Sequence, residues 1–291
     1  MHMEFEAPSL ARREEYLAAL SKMPQKASDY SFGNIYGWAE SYGLEWAFTP
    51  DYVLIRQTIP HVVYWAPVGN WDAVDWTGCP CIAAGMEFIR IPETLANSLS
   101  AQLGDKIEVK ELRDHFDYLY SVQELIELKG NRFHKKKNLL KQFSKHYDFE
   151  YHVISPDCIE EVLEMQSDWC LWREDECNKT LIAENKAISR VLKTFDRQPE
   201  LFGGTIKVDG KVIAYTVAEE LEPGTVVIHF EKGHTNFKGV YQAINQQFLE
   251  HTASQYDIVN REQDIGDEGL RKAKMSYNPV GFLKKYNILV K

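Results

Sequence analysis

Hydrophobic and polar positions along this chain follow two periods, and the places where the period changes mark its elements. Leu10, Tyr16, Leu17 and Leu20 fall on or near one face of a helix between Ser9 and Lys22. Ser31 is placed to cap a second helix over 32–42, which Gly43 ends. Short β-prone runs follow at 45–48, 52–57 and 62–66. The turn Pro67-Val68-Gly69-Asn70 then leads through a helical connection to a strand around 86–90. Pro92 opens a helix running to Leu103, and 106–110 reads as a strand.

In the second half, Phe133, Leu140, Phe143 and Tyr147 give the basic segment 130–145 one anchored helical face. A strand is expected at 149–154, a long helix from Ser155-Pro156 to about Asp175, and another helix from Leu181 to about Phe195. A hairpin, 203–208 with 212–219, turns on Asp209-Gly210. A strand at 226–231, a glycine-bearing loop, a helix over 240–251, a strand at 256–260, a polar cluster, a helix and a last strand complete the chain. This β-α-α-β-β-β-α-β-α-β order resembles the GNAT-type (acyl-CoA N-acyltransferase) fold. The first half echoes the same meander and alternation. The expectation is an α/β protein with mixed α+β sheets, built as two tandem GNAT-like domains. They are placed at 1–129 and 148–291, joined by a basic linking helix at 130–147, with the chemistry in the second.

Composition narrows the class. With 291 residues, 44% hydrophobic and 26% charged, the chain has the makeup of a folded globular protein, and its 36 aromatic residues argue against disorder. No apolar run approaches a bilayer-crossing length and the start lacks a signal-peptide core, so no membrane span and a cytoplasmic location are expected. Five scattered cysteines do not read as a disulfide framework; Cys79-Pro80-Cys81 has no second half for a zinc site and reads as buried thiols. A net charge of −10 argues against broad nucleic-acid binding, and DNA is not an expected partner. One exception stands out: seven Lys/Arg and no Asp or Glu between Lys129 and Tyr147.

That basic helix, with Lys135, Lys136 and Lys137, suits a phosphate-rich ligand, and equally a solvated helix paired to acidic surroundings. His229 and Glu231 alternate on a strand and share a face, either as a general base for an attacking amine or as a hydrogen-bonded structural pair. Together with His234 they spell H-x-E-x-x-H, but the strand break sets His234 apart and no metal is expected. Lys238 and Gly239 precede a helix start that can cradle an anion. Asn260, Arg261, Glu262 and Asp264 form the densest polar cluster after an apolar strand, with Asp264 also a candidate helix cap. Arg271 has Asp267 four residues before it, whereas Lys274 has Leu270, which makes Lys274 the cation most readily assigned to a ligand. Tyr277, near a helix end, is either a rim tyrosine or a proton donor to a leaving group.

The segments His229-Phe230-Glu231-Lys232, 238–245, Asn260-Arg261-Glu262 with Asp264 and Gly266, 269–274 and 276–279, together with Lys135-Lys136-Lys137-Asn138, resemble the phosphatidylglycerol lysyltransferase C-terminal-like family. The resemblance covers the chain from about Tyr120 and extends to the whole. It implies two tandem GNAT-type domains similar to the Fem-type aminoacyltransferases, and transfer of an amino acid from aminoacyl-tRNA to an acceptor. The multi-span membrane portion of the family's characterised members has no counterpart in this sequence. The expectation is acyl or aminoacyl transfer to an amine or hydroxyl, with no tightly bound cofactor and with acyl-CoA or aminoacyl-tRNA as donor substrate. Glu231, His229 and Tyr277 would act on the reacting atoms; Lys135, Lys136, Lys137, Lys238, Gly239, Arg271 and Lys274 would hold donor phosphates. Two rival readings are a catalytically silent binding module of this fold and a plain acetyl-CoA-dependent N-acetyltransferase.

Overall fold

The computed structural model describes residues 3–171 and 179–291. The helix end expected near Asp175 and the thiol of Cys177 lie outside the described residues. In chain order, α1 (Arg13–Leu20) and α2 (Phe32–Tyr42) precede β1 (Leu44–Phe48), β2 (Tyr52–Gln57), β3 (Val63–Trp65) and β4 (Val68–Gly69). Then come β5 (Glu87–Pro92), α3 (Glu93–Leu103), β6 (Ile107–Glu111), β7 (Asp117–Ser121) and α4 (Val122–Glu127). They are followed by α5 (His134–His146), β8 (Phe149–Val153), α6 (Ile159–Leu171), α7 (Lys179–Leu192), β9 (Leu201–Val208), β10 (Lys211–Glu222) and β11 (Thr225–Gly233). The chain closes with α8 (Val240–His251), β12 (Ile258–Asn260), α9 (Glu268–Met275), β13 (Gly281–Leu283) and β14 (Lys285–Val290).

Local signals explain most of these boundaries. The Ser31 hydroxyl accepts from the Asn34 amide, and Gly43 ends α2 in the left-handed region at φ 56°. Asp209 and Gly210 both have positive φ, 50° and 75°, as the two-residue turn between β9 and β10 requires. The helical connection expected between 70 and 86 is instead a single 3₁₀ turn at 71–73, because Gly78, Pro80 and Gly85 interrupt any longer helix. Strand β7 and helix α4 escape the sequence reading.

The chain forms two compact units: 1–117 with 263–268 and 282–291, and 118–262 with 269–281. β7 beyond Asp117 and α4, expected in the first domain, belong to the second unit, and β14 belongs to the first.

In the first unit the sheet order is β1-β2-β3-β5-β14-β6, with β4 on β2. β14 is antiparallel to both β5 and β6, with Tyr286 opposite Ile91 on one side and Glu111 on the other. Tyr16 stacks on Trp46 at 5.4 Å in a core that also buries Phe32, Trp65, Trp76 and Phe88. Four charges are buried in this unit as a neutral set. Lys285 Nζ donates to Asp29 and, at 2.6 Å, to Asp117; Arg90 donates to Asp29 at 2.5 Å. Ser28 adds its amide and hydroxyl to Asp117. Only such mutual pairing makes full burial of these groups tolerable. Cys79 and Cys81 are joined as a disulfide, which corrects the reading of two buried thiols. Their Cα atoms, 5.2 Å apart across Pro80, lie within bridging range.

In the second unit the strand order is β13-β7-β12-β11-β10-β9-β8. β11 and β12 are parallel but pair over only three positions, Thr225–Val227 with Ile258–Asn260. The remainder of β11 runs on without β12 beside it. The β10–β11 register also slips, from Val217 opposite Phe230 to Ala218 opposite Ile228, so His229 is the extra residue of a bulge. Bulges re-aim side chains, and this one stands at the polar cluster.

Candidate active site

Where β11 parts from β12, polar side chains fill the opening. Glu231, on the half of β11 that β12 does not reach, accepts from Arg261 at 2.6 Å and from Asn245 of α8 at 3.2 Å. Its carboxylate is 7% exposed and the guanidinium 15%. Burial disfavours the charge on Arg261, but Glu231, Tyr277 and Tyr120 outweigh it and hold Arg261 firmly protonated. Asn260 is buried, and its side-chain oxygen accepts from the Glu262 amide at 2.8 Å. That contact sets the turn in which Glu262 takes a positive φ of 55°. Asn260 is a bracket for its neighbours.

His229 is enclosed. Its Nδ1 lies 3.0 Å from Glu262 and its Nε2 3.5 Å from Glu219, with no exposed side-chain surface. Burial alone would lower its pKa. The two carboxylates outweigh that and push it up to about 9, so the ring is an imidazolium at neutral pH. Both base candidates read from the sequence, Glu231 and His229, are therefore held in ion pairs.

Tyr277 follows α9 and is 7% exposed. Its oxygen accepts from Gln242 of α8 at 2.9 Å, and the Arg261 guanidinium lies 5.0 Å from the centre of its ring. With Gln242 donating to its oxygen, the phenol's own hydrogen is the group it has to give. Burial, opposed by Arg261, raises the Tyr277 pKa and keeps the phenol protonated.

Of the lysines on α5, Lys135 and Lys137 are exposed, while Lys136 is half-buried, with Nζ 3.9 Å from the centre of the Tyr277 ring. Burial, aided by the nearby positive charge of Arg261, lowers the Lys136 ammonium to about 8. Phe133 and Phe143 anchor in the core the face of the helix that Lys136 shares, away from the exposed Lys137 and Lys141, and the sequence spacing predicts that anchored face.

The remaining candidates fall elsewhere. Gly239, at φ 92°, starts α8, but a Cβ there would lie 2.4 Å from the Leu139 carbonyl oxygen and 3.1 Å from Phe143. The glycine is required because the backbone of α5 comes this close. The Val240 amide donates to Phe237, and the Gln242 and Ala243 amides donate to Gly239, so much of the expected cradle is occupied. Lys238 is exposed beside it. Lys274, expected to be ligand-facing, donates its ammonium to the Arg261 carbonyl and reinforces the turn. Arg271 is half-buried on α9. Asp264 belongs to the first unit, where it accepts from Arg113 at 3.4 Å and from the Gly266 amide at 2.9 Å. His234 accepts from the Asn236 amide, off the strand. Among the described residues no group of three His, Cys, Asp or Glu is placed to hold a metal. No helix among them is long and apolar enough to cross a membrane.

The sequence reading missed Gln242, Asn245, Tyr120 and Glu219. Gln242, Asn245 and Gln246 share one side of α8, and that spacing is the signal the sequence offers for the first two. Tyr120, whose hydroxyl donates to the Lys274 carbonyl at 2.9 Å, lay on the strand that was not foreseen. A hollow of about 400 Å³ lined by Met3, Phe5, Leu54, Arg56, Tyr64 and Met86, with Pro80 and Cys81, lies in the first unit; its cation, Arg56, is already paired with Glu45.

Residues 20–289 match the sequence profile of the phosphatidylglycerol lysyltransferase C-terminal family. A conserved protein of unknown function from Bacteroides thetaiotaomicron is 30% identical over the full length of both chains, with a TM-score of 0.88. The structure of L-PGS from Bacillus licheniformis aligns at a TM-score of 0.66 over 98% of this chain and 92% of that one; at 14% identity that likeness is one of fold. An uncharacterised protein of Mycoplasmoides gallisepticum is 22% identical over 180 residues, 60% of this chain and 56% of that protein. This chain thus matches little more than half of that relative.

Proposed function

Because the chain belongs to the phosphatidylglycerol lysyltransferase C-terminal family, we propose that it moves an acyl or aminoacyl group from a phosphate-bearing donor to an amine or hydroxyl acceptor. The observation that carries this reading is Tyr277. Its oxygen accepts from Gln242, its proton is retained by burial, and it lies beside Arg261 where β11 and β12 separate. Acyl transfer needs a proton donor for the departing oxygen or sulfur, and a phenol kept protonated and fixed by Gln242 supplies one. Arg261 beside it adds a fixed positive charge for the oxyanion that develops on the acyl group.

Two observations favour aminoacyl-tRNA over acyl-CoA. The start of α8 is closed by the approach of Leu139 and Phe143, which denies a compact diphosphate the usual helix terminus. The exposed cations Lys135, Lys137, Lys141 and Lys145 instead extend along α5, about 20 Å for a helix of this length, a span suited to a nucleic-acid backbone. The acceptor is an amine or hydroxyl, and the family's lipid headgroup is one member of that class.

The ion-paired state of Glu231 and His229 favours a second reading, a module of the same fold that binds a phosphate-bearing ligand without turnover. Radiolabelled donors separate the two. Incubation with aminoacyl-tRNA and with acetyl-CoA, in the presence of amine and hydroxyl acceptors including phosphatidylglycerol vesicles, is expected to give transfer from aminoacyl-tRNA. Binding without transfer from either donor supports the module. Failure to bind or use either donor removes the transferase reading.

A further inference from the structure

We propose that Lys136 is the general base of this transfer: its neutral amine takes the acceptor's proton as the acceptor nitrogen or oxygen attacks the donor's acyl carbon. This role rests on the transfer reading above and fills a gap in it. Glu231 is held by Arg261 and Asn245, and His229 is an imidazolium between Glu219 and Glu262. The charge of Glu231 is matched by Arg261 and the ring of His229 is enclosed, so neither is presented to an acceptor as a base.

Lys136 differs from its neighbours on α5 in position. Lys135, Lys137, Lys141 and Lys145 are exposed, whereas Lys136 is half-buried with its amine on the face of Tyr277. Among the described residues no carboxylate pairs with it. The charged and titratable groups that face it are Arg261 and Tyr277, with Glu231 engaged by Arg261. A like charge and partial burial both disfavour the ammonium. The resulting pKa of about 8 leaves a useful neutral fraction at neutral pH, which is the compromise an effective base needs. The aromatic face then stabilises the ammonium formed when the proton arrives.

The step balances within the site. The acceptor's N–H or O–H proton passes to Lys136 as the new bond to the acyl carbon forms and the carbonyl electron pair moves onto oxygen beside Arg261. Collapse of that intermediate breaks the bond to the donor oxygen, which leaves with the proton of Tyr277. The ammonium of Lys136 then returns a proton to the phenolate through solvent. No other co-reactant is required.

Two measurements test this role. Acylation of the intact protein by a water-soluble anhydride, followed residue by residue by mass spectrometry across pH 6–11, is expected to show Lys136 reacting with a midpoint near pH 8. Exposed Lys145 on the same helix serves as the internal reference. In the transfer assay the wild-type kcat/KM is expected to rise with pH and level off near pH 8. Lys136→Arg, which keeps the charge and cannot act as a base, is expected to lose about 10²-fold or more in kcat with donor KM little changed. A Lys136 midpoint equal to that of Lys145, or a Lys136→Arg enzyme within a few-fold of wild type with the same pH profile, overturns the role of Lys136 alone. Absence of transfer by the wild type from every donor, with the Lys136 midpoint still near pH 8, overturns the transfer reading and this role with it.

Discussion

Arg261 donates to Glu231 at 2.6 Å, and that ion pair fastens β11 to the turn after β12 where the ladder between these two strands has already ended. Both groups are nearly buried, so removal of one strands the other. Arg261→Met is expected to destabilise the protein by about 3–5 kcal/mol, the range for an orphaned buried charge. Adding Glu231→Gln to that variant should recover part of the loss. A double-mutant cycle on urea unfolding measures the coupling. Strictly additive losses would show that the contact does not tie the two strands together.

Tyr277→Phe isolates the phenolic hydroxyl. The ring that meets Lys136 stays, while Gln242 loses its acceptor. Transfer is expected to fall by about 10²–10⁴-fold, the usual contribution of a positioned proton donor. Donor affinity should remain within a few-fold, and stability should drop by about 1 kcal/mol for the unaccepted Gln242 amide. Single-turnover assays beside equilibrium binding check this. A variant that keeps transfer within about tenfold of wild type removes Tyr277 from the chemistry.

His229 makes stability pH-dependent in a definite direction. Its folded pKa is raised, to about 9 from an ordinary 6.5. Its contribution is therefore complete below pH 6.5 and is lost as pH climbs through 9. The shift corresponds to roughly 3 kcal/mol as an order of magnitude. Lys136, whose folded pKa is lowered, acts with the opposite sign above pH 8, so the wild type alone gives a mixed curve. The difference between wild type and His229→Gln in urea unfolding isolates the histidine. That difference is expected to be largest near pH 6 and to shrink steadily toward pH 9.5. A constant difference would mean that His229 is neutral when buried.

Much of this fold was legible because its signals are local. Ser31 and Gly43 bracket α2, Asp209-Gly210 makes a hairpin, and Phe133, Leu140 and Phe143 repeat at helical spacing, each a matter of a few adjacent residues. What escaped depends on distant partners. The ammonium of Lys285 meets Asp29 across 256 positions of sequence and Asp117 across 168, so nothing near Lys285 announces that its strand belongs to the first unit's sheet. The same limit governed the site. Lys274 was assigned to a ligand for want of an acid four residues away, but the left-handed turn at Glu262 sits beside the Arg261 carbonyl that accepts from it. Lys136 stands three residues after Phe133 and four before Leu140, on the apolar side of the helix, but that spacing says nothing of the Tyr277 ring on which the packing of α5 sets its amine. His229 and Glu231 alternate as written, yet a bulge removes His229 from the ladder and encloses it between carboxylates.

The buried quartet of the first unit should behave as one cooperative set. Lys285→Met takes the ammonium away from both Asp29 and Asp117, while Arg90 still donates to Asp29 and Ser28 to Asp117. A loss of about 3–5 kcal/mol is expected. Pairing Lys285→Met with Asp117→Asn restores neutrality and should regain part of it. Acid unfolding gives an independent reading. Burial would raise the Asp29 pKa, but Lys285 and Arg90 outweigh it and hold it well below the ordinary 3.8. A depressed carboxylate stabilises the fold fully above its unfolded pKa and loses that contribution as pH falls below it. Wild type is therefore expected to weaken steeply below pH 4, and Asp29→Asn to start less stable at pH 7 but to show a shallower acid slope. Circular dichroism melts from pH 7 to pH 2 resolve the two slopes, and parallel curves would show that Asp29 is not ionised in the folded protein.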